Sequence, residues 1–494
     1  MSNSFIWWGI VIYIVISLYI AYLSRSGKET SMSGYFLGNR KMNGFVSALS
    51  YSATTYSAFM MVGLAGLTYR GGVGALGFEI IYFAGVTLVA FFGPRFWLVG
   101  NKYGYVTPVE MLGDRYNHKL VSVVIALASC IFLIPYSAVQ LAGVGYLVEG
   151  MTNGGISFTT GVVIATVLAI VFSFIAGIRS VMWTDSLQAL LMIIASTIVV
   201  LLLIQGLGGF REFFGTLEAN HPETLTVPGK GFWSFATFLS MTVPWLFFSL
   251  SNPQVSQRMF MPSSLKSLRT MLLGFLGFGL VYTLVSVLWG YSAIIMFPGL
   301  ENADKATPSL LSSELVPPVL GLIVMVAIIA AAISTIDSIM LTLASLFARD
   351  VYGNLRKGVD ERRQLAIGKM VMPIIAIMAF AFAELQLDLI AVLSVASSAG
   401  LTVAVPAIIG AFFWKKGTAA GVIVSVSISG ILVLILEMSA IKPFGLGSGV
   451  WGLALSTVLF IVVSLLTKAP TEKATEFIDY VNSELKQKLS PNKP

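Results

Sequence analysis

One cysteine and two histidines in 494 residues exclude several classes of function at once. The lone thiol, Cys130 in an apolar run, cannot build a disulfide framework, and two histidines leave no credible zinc site. Neither histidine lies inside an apolar run, and the Ser and Thr residues there lack a base partner, so no enzymatic constellation is expected. Charge is scarce as well: 11% of residues are charged against 56% hydrophobic, and the mean hydropathy is +0.87. A soluble chain of this length does not have that composition; a polytopic membrane protein does. The net charge of +7 would suit a nucleic-acid binder. The basic residues fall in short links between apolar runs, however, which marks topology and leaves no nucleic-acid partner expected.

What the chain has in abundance is runs long enough to cross a bilayer. They fall at about 5–23, 46–69, 74–98, 121–148, 156–176, 184–206, 233–256, 270–297, 316–347, 367–386, 388–412, 418–437 and 448–467, with the second, fourth and ninth the least regular. This predicts an all-α polytopic membrane protein with 13 transmembrane helices. The opening Met1–Phe5 has no basic stretch, so the first run reads as a retained span rather than a signal peptide. With the N-terminus outside, 25 of the 30 Lys and Arg fall on inner segments or the helix ends beside them, leaving Arg70, Arg211, Lys230, Lys305 and Lys442 outside. That bias predicts a plasma-membrane protein with a cytoplasmic C-terminus. The outer loop 207–232 is expected to carry a short helix near Phe210–Leu217. The tail 468–494 is expected to form a surface helix from Glu472 to Leu489.

Polar residues inside such runs are costly and therefore informative. Ser52–Ser57 holds four hydroxyl side chains and a tyrosine around one alanine. Either these hydroxyls bond back to the preceding turn, or the helix opens and freed carbonyls join them in holding a small cation. The ninth run carries Ala331, Ser334, Thr335, Asp337 and Ser338, and Ala331, Ser334 and Ser338 share one helical face. These are oxygen ligands suited to a hard monovalent ion; the competing reading is a polar seam between helices. Glu79 and Asp185 lie within or at the start of runs, whereas Glu384, Asp388 and Glu437 sit near span ends, where water is in reach. Pro253, in Asn252–Arg258, is expected to kink the seventh run and free backbone groups for a small-solute pocket.

Five segments resemble the sodium:solute symporter family: Tyr35–Arg40, Ser52–Ser57, Gly177–Gln188, Asn252–Arg258, and Ala332–Leu341 followed by Arg349–Tyr352. They occur in that family's order and spacing. The resemblance implies a LeuT-like core of two inverted five-helix repeats, 46–206 and 233–412. Residues 1–45 would precede the core, the external loop 207–232 would join the repeats, and two peripheral spans (413–467) and a cytoplasmic tail (468–494) would follow. It implies uptake of a small organic solute driven by sodium as coupling ion, with no enzymatic cofactor, by a chain functional as a monomer in the lipid bilayer. Carried over by position, the main sodium site is the carbonyls of Ala53, Tyr56 and Ala331 with the hydroxyls of Ser334 and Thr335. A second sodium, held in some members, would fall at Asp185, Asp337 and Ser338 together with Ser334 and Thr335. Relatives with that site commonly carry serine where Asp337 stands.

The pocket walls implied by position are Phe59, Met60, Gly63, Glu79, Gln140, Trp245, Phe248 and Ser249. Their apolar character points away from a hexose and towards an organic anion such as pantothenate or a monocarboxylate, or an amino acid. Proline permeases place an Asp where Thr55 stands, which weakens a proline assignment, whereas pantothenate permeases carry a charge-free version of this segment. The rival readings are a proton-coupled or ion-independent permease on the same fold and, in another class, an ion channel. A channel would need polar groups along a whole path, and here they concentrate at mid-span and at one end.

The charge count generates a direct topology test. In a Cys130→Ala background, Lys230→Cys should react with a membrane-impermeant maleimide applied to intact cells. Lys416→Cys should react only after permeabilisation; the opposite pattern would invert the orientation.

Overall fold

A computed structural model describes residues 3–24, 31–175, 178–356, 358–386 and 389–489. Apolar segments in a bilayer must satisfy every backbone group internally, so the long runs become helices. In chain order these are α1 (Asn3–Ser24), α2 (Gly44–Ala58), α3 (Gly74–Tyr103), α4 (Lys119–Met151), α5 (Phe158–Ile175), α6 (Ile178–Gly206) and α7 (Phe235–Ser251). They continue with α8 (Leu265–Met296), α9 (Pro318–Ser345), α10 (Glu361–Ala383), α11 (Ile390–Phe413), α12 (Ala419–Ser439), α13 (Ser448–Leu466) and α14 (Thr471–Leu489). Several starts carry the side-chain caps their sequences offer. Asn43 accepts the Val46 N–H at 2.8 Å, Asp360 the Arg363 N–H at 3.1 Å, and Thr418 the Gly421 N–H at 3.0 Å.

Nine helices among the described residues are long and apolar enough to cross a membrane, with Ser4–Ile20 and Phe158–Phe174 as shorter apolar helices. The other two of the thirteen expected runs are interrupted. The first is α2, which breaks at Ser57 (φ −16°, ψ −160°) and continues as a π-helical stretch, Phe59–Leu64, and then Ala65–Gly71. The second is α7, which ends at Asn252 in extended conformation; its side chain accepts the Gln254 N–H at 3.2 Å as a new short helix, Pro253–Ser256, begins. The break expected in the seventh run near Pro253 is thus present, with Pro253 opening the second helix rather than kinking the first. Proline stands at the first position of a helix, where its missing N–H costs nothing. The proline that does lie inside this helix is Pro244.

At the centre, α2 packs against α6, α8 and α9, and every side chain from Val46 to Ala58 is buried. Around it α9 also touches α4 and α10, α3 pairs with α7, and α11 lies on α4. The hairpin α12–α13 stands to one side, against α4 and α11. The helix expected in the loop 207–232 runs Gly209–Asn220, somewhat longer than expected. The tail helix α14 lies across the ends of α3 and α11, burying Phe477 and Val481. It is fixed by Lys415–Asp479 at 2.9 Å and Lys473–Asp114 at 3.0 Å. Tyr103 donates to Glu476 at 2.8 Å, which holds that carboxylate below its usual range. Asp388, read above as a span-end carboxylate, lies outside the described residues.

Close helix approach rests on glycine at Gly85, where a Cβ would collide with the Leu246 backbone carbonyl of α7. Gly85→Ala should therefore destabilise the α3–α7 pair by about 1–3 kcal/mol, as overpacking does. Gly277→Ala, which meets nothing within 4 Å, serves as the control. Thermal unfolding in detergent checks both, and equal melting temperatures would contradict the packing described.

Candidate functional site

The break in α2 is local chemistry. In an unbroken helix the Phe59 N–H would bond the Thr55 carbonyl; here it donates to Ser57 Oγ at 3.3 Å. The Ser57 hydroxyl thus accepts the N–H that opens the second half, and the carbonyls of Ala53 and Thr54 lie at the end of the first. Facing them is α9. Its Thr335 hydroxyl lies 3.4 Å from the carbonyls of both Ala53 and Thr54 and 3.0 Å from that of Ala331. The expected partners Ala53, Ala331 and Thr335 are thus brought together, with Ser334 next along the chain and Tyr56 immediately before the break. Tyr56 stacks on Phe275 with ring centres 4.9 Å apart, and Gly279 of α8 leaves the room its hydroxyl occupies.

Below this lies a buried ionic knot. Asp185 of α6 and Arg258 are 0% and 2% exposed, and Arg258 Nη2 stands 3.6 Å from Asp185 Oδ2. Ser50 donates to Asp185 Oδ2 at 2.6 Å, and Ser334 donates to Asp185 Oδ1. Arg258 in turn donates to Ser50 at 2.7 Å, to Ser338 at 2.7 Å and to Thr54. One guanidinium and one carboxylate so connect α2, α6, α9 and the segment after α7. Of the residues expected at a second ion site, Asp185 and Ser338 are thus engaged by Arg258. Asp337 is turned to α5, where Ser173 donates to it at 2.9 Å. The sequence reading did not assign Arg258 a role, nor Ser50 and Thr54 as its partners. The available signal was an arginine following the polar stretch Asn252–Gln257 at the end of an apolar run.

On the other side of the break stands a buried aromatic cluster. Trp245 has Phe59 at 4.9 Å, Phe248 at 4.8 Å, Phe78 at 5.3 Å and Tyr82 at 5.7 Å between ring centres. Its indole N–H donates to Glu79 Oε2 at 3.2 Å, and Ser249 donates to the Tyr82 hydroxyl at 3.1 Å. Gln140 on α4 is fully buried, and among the described residues neither atom of its amide has a hydrogen-bond partner. Five of the expected wall residues, Phe59, Glu79, Trp245, Phe248 and Ser249, are thus joined through direct contacts. Met60 is buried in the π-helical stretch, and Gly63 faces Ile390 at the start of α11. Tyr82, Phe78 and Tyr136 complete the cluster and were missed, since in sequence they read as ordinary apolar-face residues.

The fold and this site define an all-helical, multi-pass membrane transporter of LeuT-like architecture. Residues 35–430 match the model of the sodium:solute symporter family, and the chain belongs to that family. Its activity class is sodium-coupled solute symport. The chain is 27% identical over 478 residues to a sodium/pantothenate symporter of Haemophilus influenzae, covering 94% of this chain and 98% of that one. It is 28% identical over 487 residues to a sodium/proline symporter of Staphylococcus aureus, covering 93% and 92%. In three dimensions it resembles a Na+-coupled sialic acid symporter in an outward-open state, with a TM-score of 0.78, 20% identity and coverage of 94% and 98%. Mhp1, a nucleobase-cation-symport-1 family transporter, follows at a TM-score of 0.55, 12% identity and coverage of 92% and 99%.

Removing one partner of a buried ion pair leaves the other uncompensated, at a cost of about 3–5 kcal/mol. Arg258→Gln should therefore lower thermal stability strongly, and adding Asp185→Asn should restore much of the loss. If the single variant melts like the parent chain, the two side chains are not the buried pair described.

Proposed function

We propose that sodium is held where α2 breaks, by the carbonyls of Ala53, Tyr56 and Ala331 and the hydroxyls of Ser334 and Thr335. The observation that carries this reading is the Thr335 hydroxyl placed among the carbonyls of Ala53, Thr54 and Ala331. A hydroxyl that donates to a carbonyl or carboxylate keeps lone pairs for a cation, so Thr335 and Ser334 remain ligands while bonded as described. The donors are oxygen only, which suits a hard ion. The Asp185–Arg258 pair argues against a second ion among Asp185, Asp337 and Ser338 while Arg258 occupies that place. The same pairing disfavours Asp185 as the carrier of a proton-coupled cycle.

The solute is a small organic molecule with an apolar body, bound in an aromatic chamber that this cluster would line beside the break. An organic anion such as pantothenate, a monocarboxylate and an amino acid all belong to this class. Glu79 and the unpartnered Gln140 amide favour, within it, a solute that presents an amino or amide N–H as well as an acceptor. Transport follows alternating access in two inverted repeats, 46–206 and 233–412, within a span count of thirteen, with the N-terminus outside the plasma membrane. Sodium stabilises the outward-open pocket by bridging α2 to α9, solute completes it, and both leave inward after the bundle rocks. Such coupling is reciprocal: solute must tighten sodium binding as sodium tightens solute.

Contacts to a charged group are worth roughly 1.5–3 kcal/mol, so Ser334→Ala/Thr335→Ala should raise the sodium concentration for half-maximal uptake about tenfold or more. Uptake into proteoliposomes with sodium replaced stepwise by choline measures this. An unchanged sodium dependence in a folded variant would remove the assignment.

A further inference from the structure

A cavity of about 280 Å3 opens at the ends of α2 and α6, away from both the ion site and the aromatic cluster. Its walls include Gly38, Lys41, Asn43, Val46, Arg179 and Trp183, and among the described residues no acidic one lines it. Lys41 and Arg179 are both exposed, and neither makes an ion pair among the described residues. The cavity is built rather than incidental. Gly38, Asn39 and Arg40 take φ values of 58°, 55° and 54°, a left-handed turn that brings Lys41 round to face α6. The next residue, Met42, is pinned by backbone bonds, receiving the Ser263 N–H at 2.9 Å and donating to Met261 at 3.4 Å. Asn43 then caps α2, so the positive end of that helix opens on the same space.

The surroundings identify the kind of anion. Both walls stand where helices enter apolar runs: α2 starts at Gly44, and α6 starts at Ile178. Trp183 is 48% exposed at that level, the depth at which tryptophan anchors membrane proteins. From it an exposed apolar stripe, Leu187, Leu190, Leu191 and Ile194, runs up one face of α6. We infer that this cavity binds the phosphate headgroup of an anionic phospholipid between Lys41 and Arg179, with an acyl chain lying along that stripe. The charge count assigns this end of the spans to the cytoplasm, where anionic lipids give the leaflet its negative potential. The occupant would also touch the transport machinery. Val46 of the cavity wall accepts from Ser186 at 3.4 Å, one residue beyond Asp185 and one turn before Ser50.

The test is a native mass spectrometry titration of the full-length protein with phosphatidylglycerol and, separately, phosphatidylcholine. Each cationic contact near a membrane surface contributes about fivefold in affinity, so Lys41→Gln/Arg179→Gln should bind phosphatidylglycerol about 25-fold more weakly. Phosphatidylcholine binding should stay level, and Lys41→Arg/Arg179→Lys should retain the phosphatidylglycerol affinity of the parent. Equal phosphatidylglycerol affinity in the parent and the Gln variant would overturn the site. Complete displacement of the lipid by an equal concentration of inorganic phosphate would overturn the lipid and leave a site for a free anion. No step of this assay depends on uptake, so its failure is distinct from failure of the sodium or solute assignment.

Discussion

A hydrocarbon interior forbids unsatisfied backbone, and the rest of this molecule is arranged around the one place where its central helix is interrupted. At Ser57 the chain turns out of helical geometry while still fully buried. Beside it α9 presents the Thr335 hydroxyl to the carbonyls of Ala53 and Thr54. Ser57 caps the second half, the π-helical stretch realigns it, and the loop beyond α8 returns to grip it: Thr307 donates to the Met61 carbonyl. In the proposed cycle sodium replaces part of this makeshift satisfaction with a stronger one. That is how an ion with no contact to solute can bias the conformation that binds solute.

The Asp185–Arg258 knot gives the break its mechanical connections. Four elements that are far apart in sequence converge on two side chains, and two of them, α2 and α9, are the walls of the proposed sodium site. Ser334 belongs to both arrangements, as a donor to Asp185 and a proposed ligand of the ion. A change at the ion site is therefore felt directly by the carboxylate of α6. Buried ion pairs are poor sources of net stability but costly to half-dismantle, which suits a device that must hold one register or another and nothing between.

The sequence revealed the break and its partner face because both depend on local composition. Hydroxyls at Ser52–Ser57 and at Ser334, Thr335 and Ser338 are out of place in apolar runs, and the spacing of the second group is helical. It did not reveal Arg258 as the counter-ion of Asp185, since the two are far apart in the chain and neither is periodic with anything. Asp337 read as one more oxygen on the ion-binding face. A helix has several faces, however, and its side chain turns to Ser173 instead. Pro253 was legible as an interruption but not as a helix start, because a kink and a first-position proline differ only in whether the preceding residue is extended, as Asn252 is. The aromatic cluster was half legible: Trp245 and Phe248 stand beside the polar stretch, while Tyr82 and Tyr136 lie on helices whose apolar faces look alike from sequence.

The central claim is that one sodium ion binds between the break in α2 and Thr335. Equilibrium binding of radioactive sodium to the purified, full-length protein tests it most directly. The account expects saturable binding of one ion per chain, competed by unlabelled sodium but not by potassium, and lost in Thr335→Ala while the fold is kept. Binding that survives unchanged in Thr335→Ala would contradict it.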